Sequence, residues 1–321
     1  MAALHEATLY DIVELPQLSV SDLDPLLAEE IFVWEKQFAW DFRPSADLLR
    51  RFMQMHSLYG CALRANRKVV GYGYYVCEAR KGLIGDFYVS HEHRSASAEM
   101  SLLGAVVQAL MRTPGIRRIE SQLLLLHDRL QPVPFQEYLT RHDRYFMVTR
   151  QDAAARLQPI PAGVRTTFIP WAERYHEEIA HLVSAAYKGH VDSDINDQYR
   201  TIPGARQFLT NIIRYPGCGQ FSPAASLLAL DDRTGRVCAA SLASLVSADS
   251  GHVTQLCVLP ALRGAHLGYE LLRQSLERLA QLGCTTTSLT VTCSNTEAIR
   301  LYESMGFHIE AKFPALVWQG W

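Results

Sequence analysis

Arg263, Gly264 and Gly268 lie in the stretch Arg263-Gly264-Ala265-His266-Leu267-Gly268. These residue types at this spacing suit the binding of a phosphate or pyrophosphate. Backbone amides of a tight loop and of a helix N-terminus point the same way, and the helix dipole favours negative charge there. Arg263 adds a fixed cation with planar donors. The two glycines allow close backbone approach. The elements that must position this loop are readable on both sides. Val253 to Leu259 is rich in strand-favouring residues and is stopped by Pro260. After the loop, Leu267, Leu271, Leu272, Leu276 and Leu279 recur at helical steps, and Gly283 sits where the helix C-terminus would be capped. A bland strand–turn–helix with two glycines shows the same pattern, so this segment alone leaves both readings open.

A further set lies downstream. Asn295, Ala298 and Tyr302 are three and then four residues apart, so they share one helical face. Ser294 and Glu297 read as a capping box that starts this helix after a strand over Thr287 to Cys293, and Gly306 is placed to end it. A polar residue, a small residue and a tyrosine on one face suit a flat or narrow ligand. An amphipathic helix with a half-buried tyrosine is the plain alternative.

Together the two segments resemble the GNAT superfamily of acyl-CoA N-acyltransferases. Leu256, Val258, Pro260, Arg263, Gly264 and Gly268 match its first motif, and Asn295, Ala298, Tyr302, Gly306 and Phe307 match its second. His266 departs from the pattern, standing where a glycine is usual. A right-handed loop conformation would accept it, so the departure bears on cofactor affinity rather than fold. The resemblance implies an α/β (α+β) fold with a mixed, mostly antiparallel sheet flanked by helices. It implies acetyl-CoA as acyl donor, no metal, and contacts to the donor from Leu256, Cys257, Val258, Arg263, Gly264, Ala265, His266, Leu267, Gly268, Tyr269, Asn295 and Tyr302. It also implies direct attack of an amine on the thioester, with a backbone N–H of Cys257 or Val258 at the oxyanion and Tyr302 as proton donor to the thiolate. An alkylammonium is neutral in only about one part in a thousand at pH 7, so a base is useful. The glutamate that relatives often carry on the preceding strand is Thr290 here. His252 and Gln255 are the nearer candidates, and His252 titrates in a useful range. The thiol of Cys257 reads as a packing group, since this chemistry needs no acyl-enzyme.

Composition narrows the classes further. The chain has 321 residues, 48% hydrophobic and 20% charged, with net charge −2. That supports a sizeable core and two domains, and it offers no basic surface for nucleic acid. The seven cysteines show no Cys-x-x-Cys pair, as expected for buried free thiols in a reducing compartment. No apolar run is long enough to span a bilayer, and Glu6, Asp11 and Glu14 interrupt any leader-like stretch. The expectation is a cytoplasmic protein, monomer or homodimer, with no membrane partner.

The two halves share an order of elements. Placing Arg94 on Arg263 (263 − 94 = 169) also places Phe87-Tyr88-Val89 on Leu256-Cys257-Val258, and Leu102-Leu103 on Leu271-Leu272. This predicts a duplication. In the first half Arg94-Ser95-Ala96-Ser97-Ala98-Glu99 carries no glycine, and Glu99 puts a negative charge where phosphate would sit. His127-Asp128-Arg129-Leu130 stands where the second motif would be. The reading is a degenerate domain over 1–155, without cofactor, and an acetyl-CoA-binding domain over 160–321. A break at Pro159-Ile160-Pro161 separates them. This arrangement resembles mycothiol synthase and other tandem-GNAT enzymes. Trp40 and the Tyr72 to Tyr75 strand are candidates to wall a substrate pocket. The run Asp192, Asp194 and Asp197 suits a cationic amine or a solvated loop alike, and a metal site with His190 lacks the geometry of any known loop. A small amine is the expected acceptor. A protein N-acetyltransferase and a non-catalytic acyl-CoA sensor are the alternatives.

Overall fold

The computed structural model describes residues 10–126 and 132–321, so the His127-to-Leu130 counterpart of the second motif lies outside the described residues. In chain order the elements are β1 (Asp11–Glu14), α1 (Val20–Phe38), α2 (Arg43–Gln54), β2 (Tyr59–Ala65), β3 (Lys68–Glu78), β4 (Lys81–Val89), α3 (Ala96–Arg112), β5 (Arg118–Gln122) and β6 (Leu139–Arg150). They continue with α4 (Gln151–Ala154), β7 (Thr166–Pro170), α5 (His176–Ala186), α6 (Asp192–Ile195), α7 (Ile202–Arg214), β8 (Gln220–Phe221), β9 (Leu227–Asp231) and β10 (Val237–Leu245). The last are β11 (Ser250–Val258), α8 (Leu267–Gln281), β12 (Thr286–Thr292), α9 (Thr296–Ser304) and β13 (His308–Gln319). A single 3-10 turn at Gln136–Tyr138 leads directly into β6.

The chain forms two compact units. One contains Met1–Phe38, Phe42–His142 and Phe313–Trp321, and the other Ala39–Asp41 and Asp143–Lys312. In the first unit the strand order is β1-β2-β3-β4-β5-β13. In the second it is β6-β12-β11-β10-β9-β7, with β8 on β10. The pairs β4/β5 and β11/β12 are parallel, and the other pairs within the units are antiparallel. The halves therefore exchange their last strands. β6 pairs with β12 from Arg144 to Arg150, and β13 pairs with β5 from Ala315 to Gln319.

The 169-residue offset runs through the secondary structure. It carries β4 onto β11 and β6 onto β13 end to end. It also carries Gly85, the extra residue that β4 inserts between its partners on β3, onto Thr254, the extra residue that β11 inserts opposite β10. A bulge repeated at the same place in two units is a feature of the design, because bulges re-aim a strand.

In the second unit α8 buries Leu267, Leu271, Leu272, Leu276 and Leu279, as its apolar stripe predicts. Leu272 and Leu276 meet Val253, Leu289 and Val291, Leu267 and Leu271 meet Leu227 and Ala239, and Leu279 meets Ala243. On the other face of the sheet α5 and α7 bring Ile179, Val183 and Leu209 against Leu242 and Cys257. In the first unit α3 plays the part of α8, with Leu102, Leu103, Val106 and Leu110 against Phe87 and Trp318. The thiols are free, but Cys77 is exposed and Cys218 and Cys293 are half-buried, so not all are core residues as expected. Among the described residues no helix is long and apolar enough to cross a membrane.

The strand exchange makes a direct prediction. A fragment spanning 160–321 lacks β6 and leaves β12 with an unpaired edge. It is expected to show no single cooperative unfolding transition by circular dichroism, whereas the full chain shows one. A native-like melt of the fragment would contradict this.

Candidate functional site

The site is built around the point where β11 leaves β12. The two strands pair only from Ser250–Val253 to Thr286–Leu289. The extra residue Thr254 then bends β11, and its hydroxyl donates to the Leu242 carbonyl at 3.0 Å. Beyond the bulge β11 stays paired to β10 as far as Val258. On the β12 side the main chain of Leu256, Cys257 and Val258 is left beside an opening, and backbone polar groups there call for a partner.

The loop after β11 makes a short 3-10 turn at Pro260–Leu262 and enters α8 at Leu267. Gly264 has φ +79°. His266 has φ +60° and ψ +10°, a left-handed conformation. The right-handed geometry expected at His266 is thus not found, and the glycine-favouring conformation is held by a residue with a Cβ. No described side chain caps α8, so its first amides keep their donors. Arg263 is exposed, and its Nη2 donates to the Ala186 carbonyl at 2.6 Å, at the end of α5. The Ala265 carbonyl accepts from Gly163 N–H at 3.0 Å, and the Tyr269 hydroxyl donates to the Gln158 carbonyl at 2.9 Å. The first half differs at the matching place. There the Ser95 hydroxyl caps α3 by accepting from Ala98 N–H, and buried Glu99 receives the Arg94 Nε at 3.2 Å.

The α9 cap lies one residue later than the capping box predicts. Asn295 is the N-cap, and its Oδ1 accepts from Ala298 N–H at 3.3 Å. Asn295 Nδ2 lies 3.3 Å from His190 Nε2. Tyr302 is buried and packs on Phe307 with ring centres 5.9 Å apart. Burial, then the charge of Asp192, pushes its pKa above the ordinary phenol value, while Arg144 pulls the other way. It is held in the neutral, proton-donating form.

Asp192 and Arg144 carry the charge around Tyr302. Asp192 opens α6, accepts from the Thr292 hydroxyl and gives its N–H to His190 Nδ1 at 3.1 Å. Tyr187 stacks on Tyr199 at 4.5 Å beside it. Arg144 comes from β6, donates from Nη2 to Thr290 Oγ1 at 3.1 Å, and sets Nη1 4.0 Å from Asp192 Oδ1. The sequence reading missed Arg144, and it weighed Asp192 only within an acidic run. Asp194 turns away to Arg200 at 3.1 Å. Among the described residues no three His, Cys, Asp or Glu side chains gather as metal ligands would.

The other expected residues fall as follows. His252 lies on the paired stretch of β11, before the opening. It is buried against Trp40 and Phe146, with Nδ1 2.9 Å from Ser288 Oγ. Burial, and then Arg144, lower its pKa to about 3. So weak a base is poorly matched to an ammonium, and the surroundings suit packing. Burial pushes the Cys257 thiol up to about 12, which leaves no thiolate at neutral pH. Trp40 belongs to this unit, but Tyr72 is buried in the other, where its hydroxyl meets Glu30 Oε2 at 2.7 Å.

Residues 195–307 match the acetyltransferase (GNAT) family model. That matched segment lies within the second unit. The crystal structure of a GCN5-related N-acetyltransferase from Sphaerobacter thermophilus is similar over 97% of this chain and 95% of its own, at 14% identity and TM-score 0.65. A tandem GNAT protein from the clavulanic acid biosynthesis pathway is similar over 97% and 98%, at 14% identity and TM-score 0.62. A GNAT-family acetyltransferase from Colwellia psychrerythraea is similar over 97% and 100%, at 14% identity and TM-score 0.53. No curated protein matches the sequence. These similarities run the length of the chain, so both units share in a tandem GNAT fold. The mixed, mostly antiparallel α/β architecture expected from sequence is the one observed.

Two outcomes follow for His266 and His252. His266→Gly removes a strained conformation and is expected to raise stability by up to about 1 kcal/mol, read by urea unfolding. For His252 the folded pKa lies below the unfolded value of about 6.5, so the unfolded state binds the extra proton as pH falls. Stability is full above about pH 6.5 and declines toward pH 3, by roughly 1.4 kcal/mol per unit once below the unfolded pKa. Replacing His252 by Gln should flatten that acid-side slope. An unchanged slope would contradict the buried neutral imidazole.

Proposed function

We propose that the second unit is an acyl-CoA-dependent N-acyltransferase, with acetyl-CoA as donor and a small primary amine as acceptor. The observation that carries this reading is the opening between β11 and β12 with Tyr302 buried beside it. The uncapped α8 N-terminus and Arg263 stand at the end of the same strand. The GNAT fold supports acyl-CoA-dependent N-acetyl transfer in general.

The donor fits the residues present. Its pyrophosphate meets the amides opening α8 and the Arg263 guanidinium, in the loop from Arg263 to Tyr269. Its extended arm runs along the unpaired edge of Leu256, Cys257 and Val258, toward Asn295 and Tyr302. A backbone N–H of Cys257 or Val258 supplies the oxyanion donor. The amine nitrogen forms the new N–C bond as the thioester C–S bond breaks. The sulfur leaves as thiolate and takes the Tyr302 proton. Asp192, rather than His252, receives the proton that the amine loses. It is a carboxylate near Tyr302 that accepts from the Thr292 hydroxyl, while the residue's own backbone N–H is held by the His190 ring. The first unit, with its helix capped by Ser95 and its arginine held by Glu99, is assigned a structural role without donor.

Tyr302→Phe tests the reading. It should lower kcat by about 100-fold or more while acetyl-CoA affinity stays within about two-fold. Asp192→Asn should lower kcat at neutral pH and recover part of it as pH rises and the free amine becomes more abundant. Turnover unaffected by both substitutions would contradict the assigned roles. A purely acyl-CoA-binding module would bind donor and acetylate no amine at all.

A further inference from the structure

The guanidinium of Arg144 has no task in the acyl transfer described above, yet it occupies an expensive place. Arg144 and Gln255 are 8% and 5% exposed. A buried guanidinium carries five N–H donors and needs acceptors for them. Here Nη2 reaches Thr290, Nη1 stops 4.0 Å short of Asp192, and Nε has no hydrogen-bond partner. The carboxamide nitrogen of Gln255 is likewise buried without a partner.

Both groups belong to one face of the sheet. Ser288, Thr290 and Thr292 alternate onto the same face of β12, where they meet His252, Arg144 and Asp192 respectively. On β11, His252 lies on this face, and past the bulge Gln255 shares it with Cys257, which packs toward α5 and α7. Arg144 and Gln255 thus stand on opposite sides of the gap between β11 and β12, both offering unused N–H donors. Asp192 is the carboxylate beside them.

A guanidinium fork with a neighbouring amide N–H matches a carboxylate. A simple cationic amine would be repelled by Arg144, and a dianionic phosphate would meet Asp192. We propose that the acceptor is a free small amino acid, whose carboxylate is held by Arg144 and Gln255 while its amine faces Asp192. This rests on the acyltransferase reading. The 4.0 Å between Arg144 and Asp192 suits an amine and a carboxylate separated by a short chain. The product is then an N-acyl amino acid.

The test uses the full chain with acetyl-CoA and follows free thiol release. The panel holds α- and short ω-amino acids, their amides, the decarboxylated amines, and peptides beginning with Asp or Glu. Calorimetry on the same samples reads donor binding, and acceptor binding in the presence of CoA. Free amino acids should exceed their amides by about 100-fold or more in kcat/KM, because the amide leaves buried donors facing no anion. Arg144→Met should abolish that preference through KM, and Arg144→Lys should restore part of it. Gln255→Glu keeps the size, adds a negative charge and should raise KM for the acids alone. Acetyl-CoA affinity, which also reports that each variant folds, should be unchanged throughout. Four results would overturn the proposal alone: amides used as well as acids, peptides preferred over free acids, a preference that survives both substitutions, or donor binding with no acid bound or acetylated. Failure to bind acetyl-CoA would overturn the acyltransferase reading as well.

Discussion

Everything at the site depends on one extra residue in a strand. Thr254 breaks the register of β11 on β10, and pairing of β11 with β12 ends at Val253. A sheet that stayed paired would satisfy its own backbone and leave no slot. The bulge turns a stable parallel pair into a fork whose inner edges keep unused polar groups. The cores hold that fork open from both faces, with α8 on one and α5 and α7 on the other. The loop into α8 is carried by the same strand, so the free amides opening α8 follow directly on the open edge.

The first unit has the same fork and a different loop. Gly85 repeats the bulge, and β4 leaves β5 after Ile84 and Ser121. What differs is the fate of the helix amides. Ser95 and the Arg94–Glu99 pair use up locally what the second unit leaves available. The two units share the helix packing and the bulge, and they differ in the loop.

The parts legible from sequence were those whose residues sit close together in the chain. The Arg263-to-Gly268 loop, the α8 stripe, the Asn295 and Tyr302 face and the constant offset all depend on local spacing, and the structure has them where expected. Arg144 and Asp192 were not legible as partners of Tyr302. They arrive from β6 and α6, and Arg144 reaches the site only because β6 pairs with β12. A strand that will be exchanged has the same alternation as one that will not, so nothing in its own pattern marked the exchange. The burial of His252 was hidden for a related reason. An imidazole's usefulness is set by what covers it, and Trp40, from far earlier in the chain, covers this one. The left-handed turn at His266 was hidden as well, because a residue's conformation is fixed by the loop and not by its type alone.

The measurement that bears most directly on one working site and one structural copy is the stoichiometry of acetyl-CoA binding to the full chain by calorimetry. The account predicts one site per chain, lost when Arg263 is replaced by Glu and kept when Arg94 is replaced by Glu. Two sites per chain, or a site lost with Arg94 and kept without Arg263, would contradict it.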